Sequence, residues 1–472
     1  MENKIAWLEW GKESFTKAKL EQKPLLLDIM AVWCYWCKRL DKDTYEKKEV
    51  IEFVNRNFIA IKVDTDKRPD INIRYNLGGW PTTAILNQEG EIISGSMYLP
   101  PLEMLSFLEN ALLIFKKPAV KREYPEFKEK RFNNPDLNKL QDQIFNEIKV
   151  NYDPYFGGFG SDQKFPFHNI LEFLLQLNSK ESREMLIKTL TNMADGEIFD
   201  KEEGGFYRYS TQQNWSQPHY EKLLDDNARL ISSYLLAYKL TNIEKFKQTA
   251  LKTIEFILTN FLSIEGYFFS SQDADEEYSN LTFKERQKTK KPFIDETLFV
   301  DSNSYTINAF LLASEILSNE KYKEIAKKCL DFLLTNLVTK KGVMHFYNYS
   351  SNPLYLLKNH LLLIDSLLSS NQDNYMEKAE EIMKKTIENF YENNLFYDII
   401  ESDDNLGYLK KRKIDPEQNA LAIKVLINLY KKEYLELAEK TINSIKDYID
   451  PQSVFSASFA EVIELIKPLS IK

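Results

Sequence analysis

The chain is poor in cysteine, histidine, glycine and proline, with 3, 4, 14 and 16 of each in 472 residues. Three cysteines are too few for a disulfide scaffold, so a closely spaced pair reads as redox or metal chemistry. With few glycines and prolines and many helix formers, a mostly helical protein is expected. No apolar run reaches membrane-spanning length. The start, Met1-Glu2-Asn3-Lys4-Ile5-Ala6-Trp7, lacks the basic residues and apolar core of a signal peptide. No basic run is long enough to reverse the formal charge of −9, which argues against nucleic acid as a partner. The expectation is a cytoplasmic protein of two or three domains with no membrane partner.

Two of the three cysteines stand together in Trp33-Cys34-Tyr35-Trp36-Cys37, directly after the apolar run Leu25–Val32. This predicts a strand running into a turn that opens a helix. Helix-terminal N–H groups stabilise a thiolate on Cys34, and Lys38 and Arg39 add positive charge. The spacing lets Cys37 attack a mixed disulfide formed by Cys34. Cys34 is expected to be the exposed nucleophile and Cys37 the buried resolving thiol. Zinc is the rival reading, but it wants four ligands, Cys329 is remote and no histidine is near. No metal and no cofactor beyond the Cys34–Cys37 dithiol/disulfide is expected. Cys329 lies in a helical pattern and reads as a buried apolar residue.

Further residues support a thioredoxin-like fold over residues 1–115. Asp28 precedes Cys34 by six positions and would sit behind the dithiol as a proton acceptor. Val63-Asp64-Thr65-Asp66 and Gly78-Gly79-Trp80-Pro81-Thr82-Thr83 resemble the thioredoxin D-x-D … G-x-P-T pattern, in which the matching proline is cis and faces the dithiol. Pro81 is the position for that role.

Residues 116–135, charged and punctuated by proline, read as a linker. From 136 to 472 apolar helices recur after polar entries: His168-Asn169, Asp226-Asn227, Ser302-Asn303, Asn359-His360 and Gln418-Asn419. Amphipathic helices follow most of them, and Gly/aromatic segments such as Gly204-Gly205-Phe206-Tyr207 separate the pairs. Helix hairpins with one apolar member each suggest closure into an (α/α)6 toroid; an open solenoid is the alternative. The fold class expected is therefore multidomain, α/β followed by all-α.

The chain resembles the spermatogenesis-associated protein 20 family. The resemblance rests on the cysteine helix, "VDTDKRPDI" and "GGWPTT", and downstream on "YFGGFGSDQKFPF", "GGFYRYSTQQNWSQPHYEKLLDDNA" and "SSQDADEE". It implies a thioredoxin-like domain joined to an (α/α)6 barrel like those of N-acylglucosamine 2-epimerase and related glycoside-processing enzymes. The family's cysteine motif carries histidine after each cysteine. Here Tyr35 and Lys38 stand there, which moves the chemistry toward plain thiol exchange.

A second candidate site lies in the helical part. Trp215, His219, Glu221, Asp225, Asp226 and Asn227 are crowded at one helix entrance, and Gln272, Asp273 and Asp275 follow another Gly/aromatic turn. Carboxylates, an imidazole and aromatic faces suit sugar processing, provided closure brings both groups to one rim. The competing reading makes Asp226, Asn227 and Gln272–Asp275 helix caps and the aromatics a seal. Three functions follow. The first is a thiol–disulfide oxidoreductase with protein dithiol/disulfide partners and a barrel that binds substrate or partner. The second is a sugar hydrolase or epimerase with a carbohydrate-like molecule in the barrel. The third is a non-catalytic ligand-binding protein.

Overall fold

The computed structural model describes residues 4–117, 131–132, 135–347 and 353–466; most of the expected linker lies outside them. The chain divides into two compact units, Met1–Lys128 with Glu401–Arg412, and Glu129–Ile400 with Lys413–Lys472.

The first unit is thioredoxin-like. Its strands are Leu25–Met30 (β1), Ile59–Asp64 (β2), Thr82–Leu86 (β3) and Ile92–Ser96 (β4), in the order β2-β1-β3-β4. β1 runs parallel to β2 and antiparallel to β3, and β4 closes a hairpin with β3. β1 is apolar apart from Asp28 because both of its faces are covered. The helices are Lys12–Glu21 (α1), Tyr35–Leu40 (α2), Lys48–Asn57 (α3), Pro69–Tyr75 (α4) and Pro101–Lys116 (α5). Val50, Val54, Met104 and Leu108 from α3 and α5 pack with Leu26 and Ile85 of the sheet.

Glu401–Arg412, which follows the barrel helices in the sequence, belongs by packing to this first unit. Tyr408 stacks on Tyr75 (4.8 Å, 15°), and the Tyr75 hydroxyl donates to Gly90 O and accepts from Tyr408 N–H. Arg74 donates to Tyr408 O and Lys411 O. Gly407 has φ +57°, and a Cβ there would collide with the Tyr75 hydroxyl. Hydrophobic periodicity carries no signal for this arm, because its contacts are backbone hydrogen bonds and one ring.

The second unit contains Leu137–Asn151 (α6), His168–Leu177 (α7), Lys180–Asp195 (α8), Leu224–Thr241 (α9) and Glu244–Asn260 (α10). The one-turn helices Glu276–Ser279 (α11) and Phe283–Arg286 (α12) come next, then Val300–Leu317 (α13), Glu320–Asn336 (α14), Leu357–Ser369 (α15) and Asp373–Phe390 (α16). Pro416–Asn428 (α17), Lys432–Ile445 (α18) and Ala457–Ile466 (α19) complete it. Among the described residues α7, α9, α13, α15, α17 and α19 pack in that order, and α19 returns to α7. The ring is closed, so the toroid forms and the solenoid does not. α8, α10, α14, α16, α18 and α6 back the inner helices from outside. α14 shows why an outer helix is amphipathic: only Ala326, Cys329, Leu330 and Leu333 are buried, on one face. Cys329 is a core residue whose thiol donates to Asn303 Oδ1.

Inner helices begin with a shared device at their fourth residue. Asn303 Nδ2 donates to Phe268 O and to Phe299 O just before its own helix, while its Oδ1 accepts from Phe268 N–H (2.8 Å). Asn227 does the same with Phe206 and Leu223, and Asn419 with Phe396 and Asp415. In α15 the place is taken by His360, whose Nε2 accepts from Val343 N–H while Nδ1 meets Leu356 O. Those contacts require the neutral Nδ1–H tautomer, and burial pushes the His360 pKa down to about 4. Replacing Asn303 by alanine leaves a buried N–H and C=O of Phe268 unpaired. The expected loss is about 2–4 kcal/mol of barrel stability, read by chemical denaturation, with the N-terminal unit unaffected.

Candidate functional site

Cys34 is the N-cap of α2 and is joined to Cys37 as a disulfide, with 5.3 Å between their Cα atoms. The Cys37 N–H points at Cys34 Sγ at 3.1 Å, so the first helical turn aims a donor at that sulfur. Cys34 was expected to be exposed. In the disulfide it is 6% exposed against 2% for Cys37, because neighbouring aromatics cover the turn. Tyr35 and Trp36 are half-exposed, Trp36 packs on Tyr98 (5.4 Å) and Trp33 on Trp80 (5.7 Å). The Trp33 indole donates to Asp66 at 2.7 Å, which gives the second Asp of the D-x-D pattern a holding role. The Trp80–Pro81 peptide is cis. The Arg39 guanidinium is paired with Asp43 at 2.6 Å and not directed at a sulfur.

Asp28 lies on β1, opposite Lys62 of β2 and Thr83 of β3, and is 1% exposed. Lys62 Nζ stands 3.4 Å from its Oδ2 and also contacts Asp41, which a π-helical stretch after α2 brings alongside. Asp28 Oδ1 has no hydrogen-bond partner among the described residues. Burial pushes the Asp28 pKa up to about 6; the Lys62 charge opposes this and Asp41 adds to it. A carboxyl in that range takes and returns a proton near neutrality.

In the second unit the nine expected residues separate. Trp215 is fully buried, its indole N–H donating to Phe156 O at 2.9 Å, its ring against Gly158 and its Cβ and carbonyl against Gly196. It seals the fold and offers no stacking face. Asn227 is the clamp described above. Asp275 caps α11 by accepting from Tyr278 N–H. The short strands Tyr209–Ser210 (β5) and Pro218–His219 (β6) pair together, and Lys222–Leu223 (β7) pairs with Ser271–Gln272 (β8). The second pairing sets the two expected groups side by side. Gln272 is buried in it, and the Asp273 N–H is held by Phe293 O. His219 stacks on Tyr209 (4.4 Å), which stacks on Phe165 (4.5 Å). Buried Glu221 lies 3.9 Å from His219 Nδ1 and 3.3 Å from Arg208. Burial lowers the His219 pKa, with Glu221 pulling the other way.

Asp225 and Asp226 turn into the lumen. Asp226 Oδ1 meets His168 Nε2 of α7 at 2.8 Å. Asp225 feels Asp301 of α13 and Lys358 of α15, and α15 does not neighbour α9 in the ring, so the interaction crosses the hole. Burial and the like charge of Asp226 raise the Asp225 pKa. Further charges line the ring. Arg229 forms a two-pronged pair with Glu172 (3.0 Å each), Lys358 pairs with Asp301 (3.5 Å) and Lys424 with Glu461 (3.7 Å). Arg229 and Lys358 both lie against the Tyr305 ring. The sequence reading missed these residues. Their signal is an i, i+4 polar pair inside an apolar helix: His168/Glu172, Asp225/Arg229, Asp301/Tyr305.

Residues 1–149 match the family Thioredox_DsbH, described as a protein of unknown function, DUF255. Spermatogenesis-associated protein 20 of Rattus norvegicus is 30% identical over 317 residues, covering 58% of this chain and 39% of that protein. The chain thus spans about two fifths of the length of the curated relatives it matches. The thiol:disulfide interchange protein DsbD of Vibrio cholerae is 30% identical over 92 residues, 19% of this chain and 15% of that protein. The structure of cellobiose 2-epimerase from Bacillus thermoamylovorans superposes with a TM-score of 0.55 at 13% identity, covering 70% of this chain and 99% of that one, which fixes the barrel fold.

Asp28 carries a measurable cost. The unfolded carboxyl ionises near 3.8 and the folded one near 6. The native state therefore holds the extra proton between these values, and stability falls as pH rises through that window. Asp28→Asn is expected to stabilise the first unit by up to about 3 kcal/mol at pH 7.5 and by nothing near pH 3.5, in denaturation curves at the two pH values.

Proposed function

We propose that this relative of spermatogenesis-associated protein 20 is a thiol–disulfide exchange protein acting through Cys34 and Cys37. The observation that carries the reading is the Cys34–Cys37 pair at a helix start, with one amide donor on Cys34 Sγ and the buried Asp28, its pKa pushed up to about 6, on the adjoining strand. In the reduced chain the Cys34 thiolate attacks a sulfur of a partner's disulfide. A Cys34–partner bond forms, the partner's S–S bond breaks, and the released partner thiolate takes a proton. Asp28 accepts the Cys37 proton, and the Cys37 thiolate attacks Cys34, which closes the internal disulfide and frees the second partner thiol. Two electrons pass to the partner; the reverse sequence oxidises a partner dithiol. The Trp80-Pro81 segment, held by Trp80 against Trp33, offers backbone to an extended partner chain. The aromatic cover of Tyr35 and Trp36 favours partners with apolar residues beside their cysteines. The barrel serves as the fused module that binds a substrate or partner.

A sugar hydrolase or epimerase in the barrel is the second reading. It is favoured by His219, kept neutral beside buried Glu221 and stacked on Tyr209. Sugar turnover lost in Glu221→Gln and unchanged in the cysteine variants would establish it.

The test of the first reading is trapping. Cys37→Ser is expected to accumulate mixed disulfides that dithiothreitol releases, and Cys34→Ser to accumulate none, on non-reducing gels followed by mass spectrometry. Equal trapping by both variants, or none by either, overturns the assignment.

A further inference from the structure

The Glu401–Arg412 arm grips the two segments that bracket Pro81 in the sequence, α4 before it and the β3–β4 turn after it. On the first side Tyr408 stacks on Tyr75, and the Arg74 guanidinium donates to Tyr408 O (3.2 Å) and Lys411 O (2.9 Å). On the second the Tyr408 hydroxyl accepts from Ile92 N–H at 3.3 Å, and the Tyr75 hydroxyl accepts from Tyr408 N–H while donating to Gly90 O. Gly90 and Gly407 approach so closely that a Cβ on Gly90 would strike the Gly407 backbone. The neck of the arm is closed within the second unit, where Asp398 N–H donates to Lys413 O (3.0 Å) and Lys413 N–H to Asp398 Oδ1 (2.7 Å). The arm is thus a formed loop, which lowers the entropy lost in docking it.

A helix as short as α4, seven residues with no side-chain hydrogen bond at its N-cap, is marginal alone and needs tertiary contacts to hold its end. Arg74 and Tyr75 are its last two residues, and both are buried. From that end hangs the loop of the exchange site. Asn72 Oδ1 accepts the Trp80 indole N–H (3.2 Å), Asn76 Nδ2 donates to Gly79 O (3.2 Å) and Asn76 Oδ1 accepts from Gly78 N–H (2.7 Å). Trp80 in turn packs on Trp33, the residue before Cys34.

We infer that the arm is a positioning element of the exchange site, which fixes the end of α4 through Arg74 and Tyr75 and so holds the Trp80-Pro81 segment in place for a partner chain. The inference rests on the thiol–disulfide reading of the preceding section. Tyr408 acts through α4 and the β3–β4 turn, so it is a positioning residue. Its loss lets the loop from Asn76 to Thr82 wander, and that is felt where a partner's backbone must pair with the loop. A small disulfide that has no backbone to offer needs only the Cys34 thiolate, so its reaction is spared. The arm makes the first unit's work depend on twelve residues that the chain supplies only after most of the ring helices.

The test uses the reduced full chain with insulin as a polypeptide disulfide and hydroxyethyl disulfide as a small one. Tyr408→Ala is expected to raise the KM for insulin about tenfold, with its kcat and the rate on hydroxyethyl disulfide held within about twofold. Tyr408→Phe, which keeps the ring on Tyr75, should restore the KM. Lys12→Ala, which breaks only the exposed pair to Asp404, is the control and should match the wild type. Hydrogen exchange should quicken about tenfold or more at the Leu77 and Gly78 amides of Tyr408→Ala, with Leu26 and Ile61 in the central strands still protected. Arg74→Lys loses the forked grip on two carbonyls, should raise the KM in the same way, and serves if Tyr408→Ala fails to fold. A wild type that reduces neither disulfide overturns the exchange reading itself. With the wild type active, an unchanged KM in Tyr408→Ala and Arg74→Lys, or equal losses on both disulfides with exchange quickened throughout the first unit, overturns this inference alone.

Discussion

The barrel depends on one recurring hydrogen-bond clamp, in which the fourth residue of an inner helix holds both backbone groups of the Gly/aromatic turn before it. Asn227, Asn303 and Asn419 do this with one carboxamide each. The clamp fixes where each inner helix starts relative to the reversal that precedes it, and hence which face turns inward. His360 is a partial version: its imidazole takes the Val343 N–H and meets Leu356 O before its own helix, without the bond to the turn's carbonyl that the asparagines make. It does so with a ring so close to Gly342 that no side chain fits there. The clamped backbone groups are buried and have no water to turn to, so a lost clamp frees a helix start in a ring that must close.

Closure then dictates the chemistry inside. Once α19 returns to α7, the residues one turn apart at the head of each inner helix share a single lumen. Lys358 is partly exposed there, and desolvation works against its charge, yet Tyr305, Asp301 and Asp225 hold it protonated. Such networks are poor stabilisers but strict organisers, because each ion is tolerable only with its partner in place. The lumen wall is thus held in one arrangement.

Much of this was legible in the chain. The strand–CxxC–helix passage, Asp28, the D-x-D and G-W-P-T segments and the alternation of apolar and amphipathic helices are local patterns, and local patterns survive in sequence. What escaped depends on which helices become neighbours. Asp225 and Asp226 could be listed as helix entrances, but their partners His168, Asp301 and Lys358 lie on three other helices, 57, 76 and 133 positions from Asp225. Trp215 was misplaced for a related reason: an indole beside polar residues looks like a sugar platform until Gly158 is seen to close on its ring. The arm Glu401–Arg412 escaped because its attachment runs through carbonyls and a glycine, which carry no hydrophobic period.

The two units share one physical signature. In each, a carboxyl is pushed toward protonation: Asp28, whose buried Oδ1 has no partner among the described residues, and Asp225, which desolvation and the like charge of Asp226 raise. Neither serves the fold, since both are pushed toward protonation by the burial the fold imposes. Elsewhere the same chain pairs its buried acids carefully; Asp200, for example, is gripped by Lys222 and Arg286, which hold its pKa down to about 2 against the burial that opposes them. A chain able to build the Asp200 arrangement has no difficulty neutralising a carboxylate. Asp28, with one oxygen unpartnered, is the exception that the proposed exchange chemistry uses, as acceptor of the Cys37 proton.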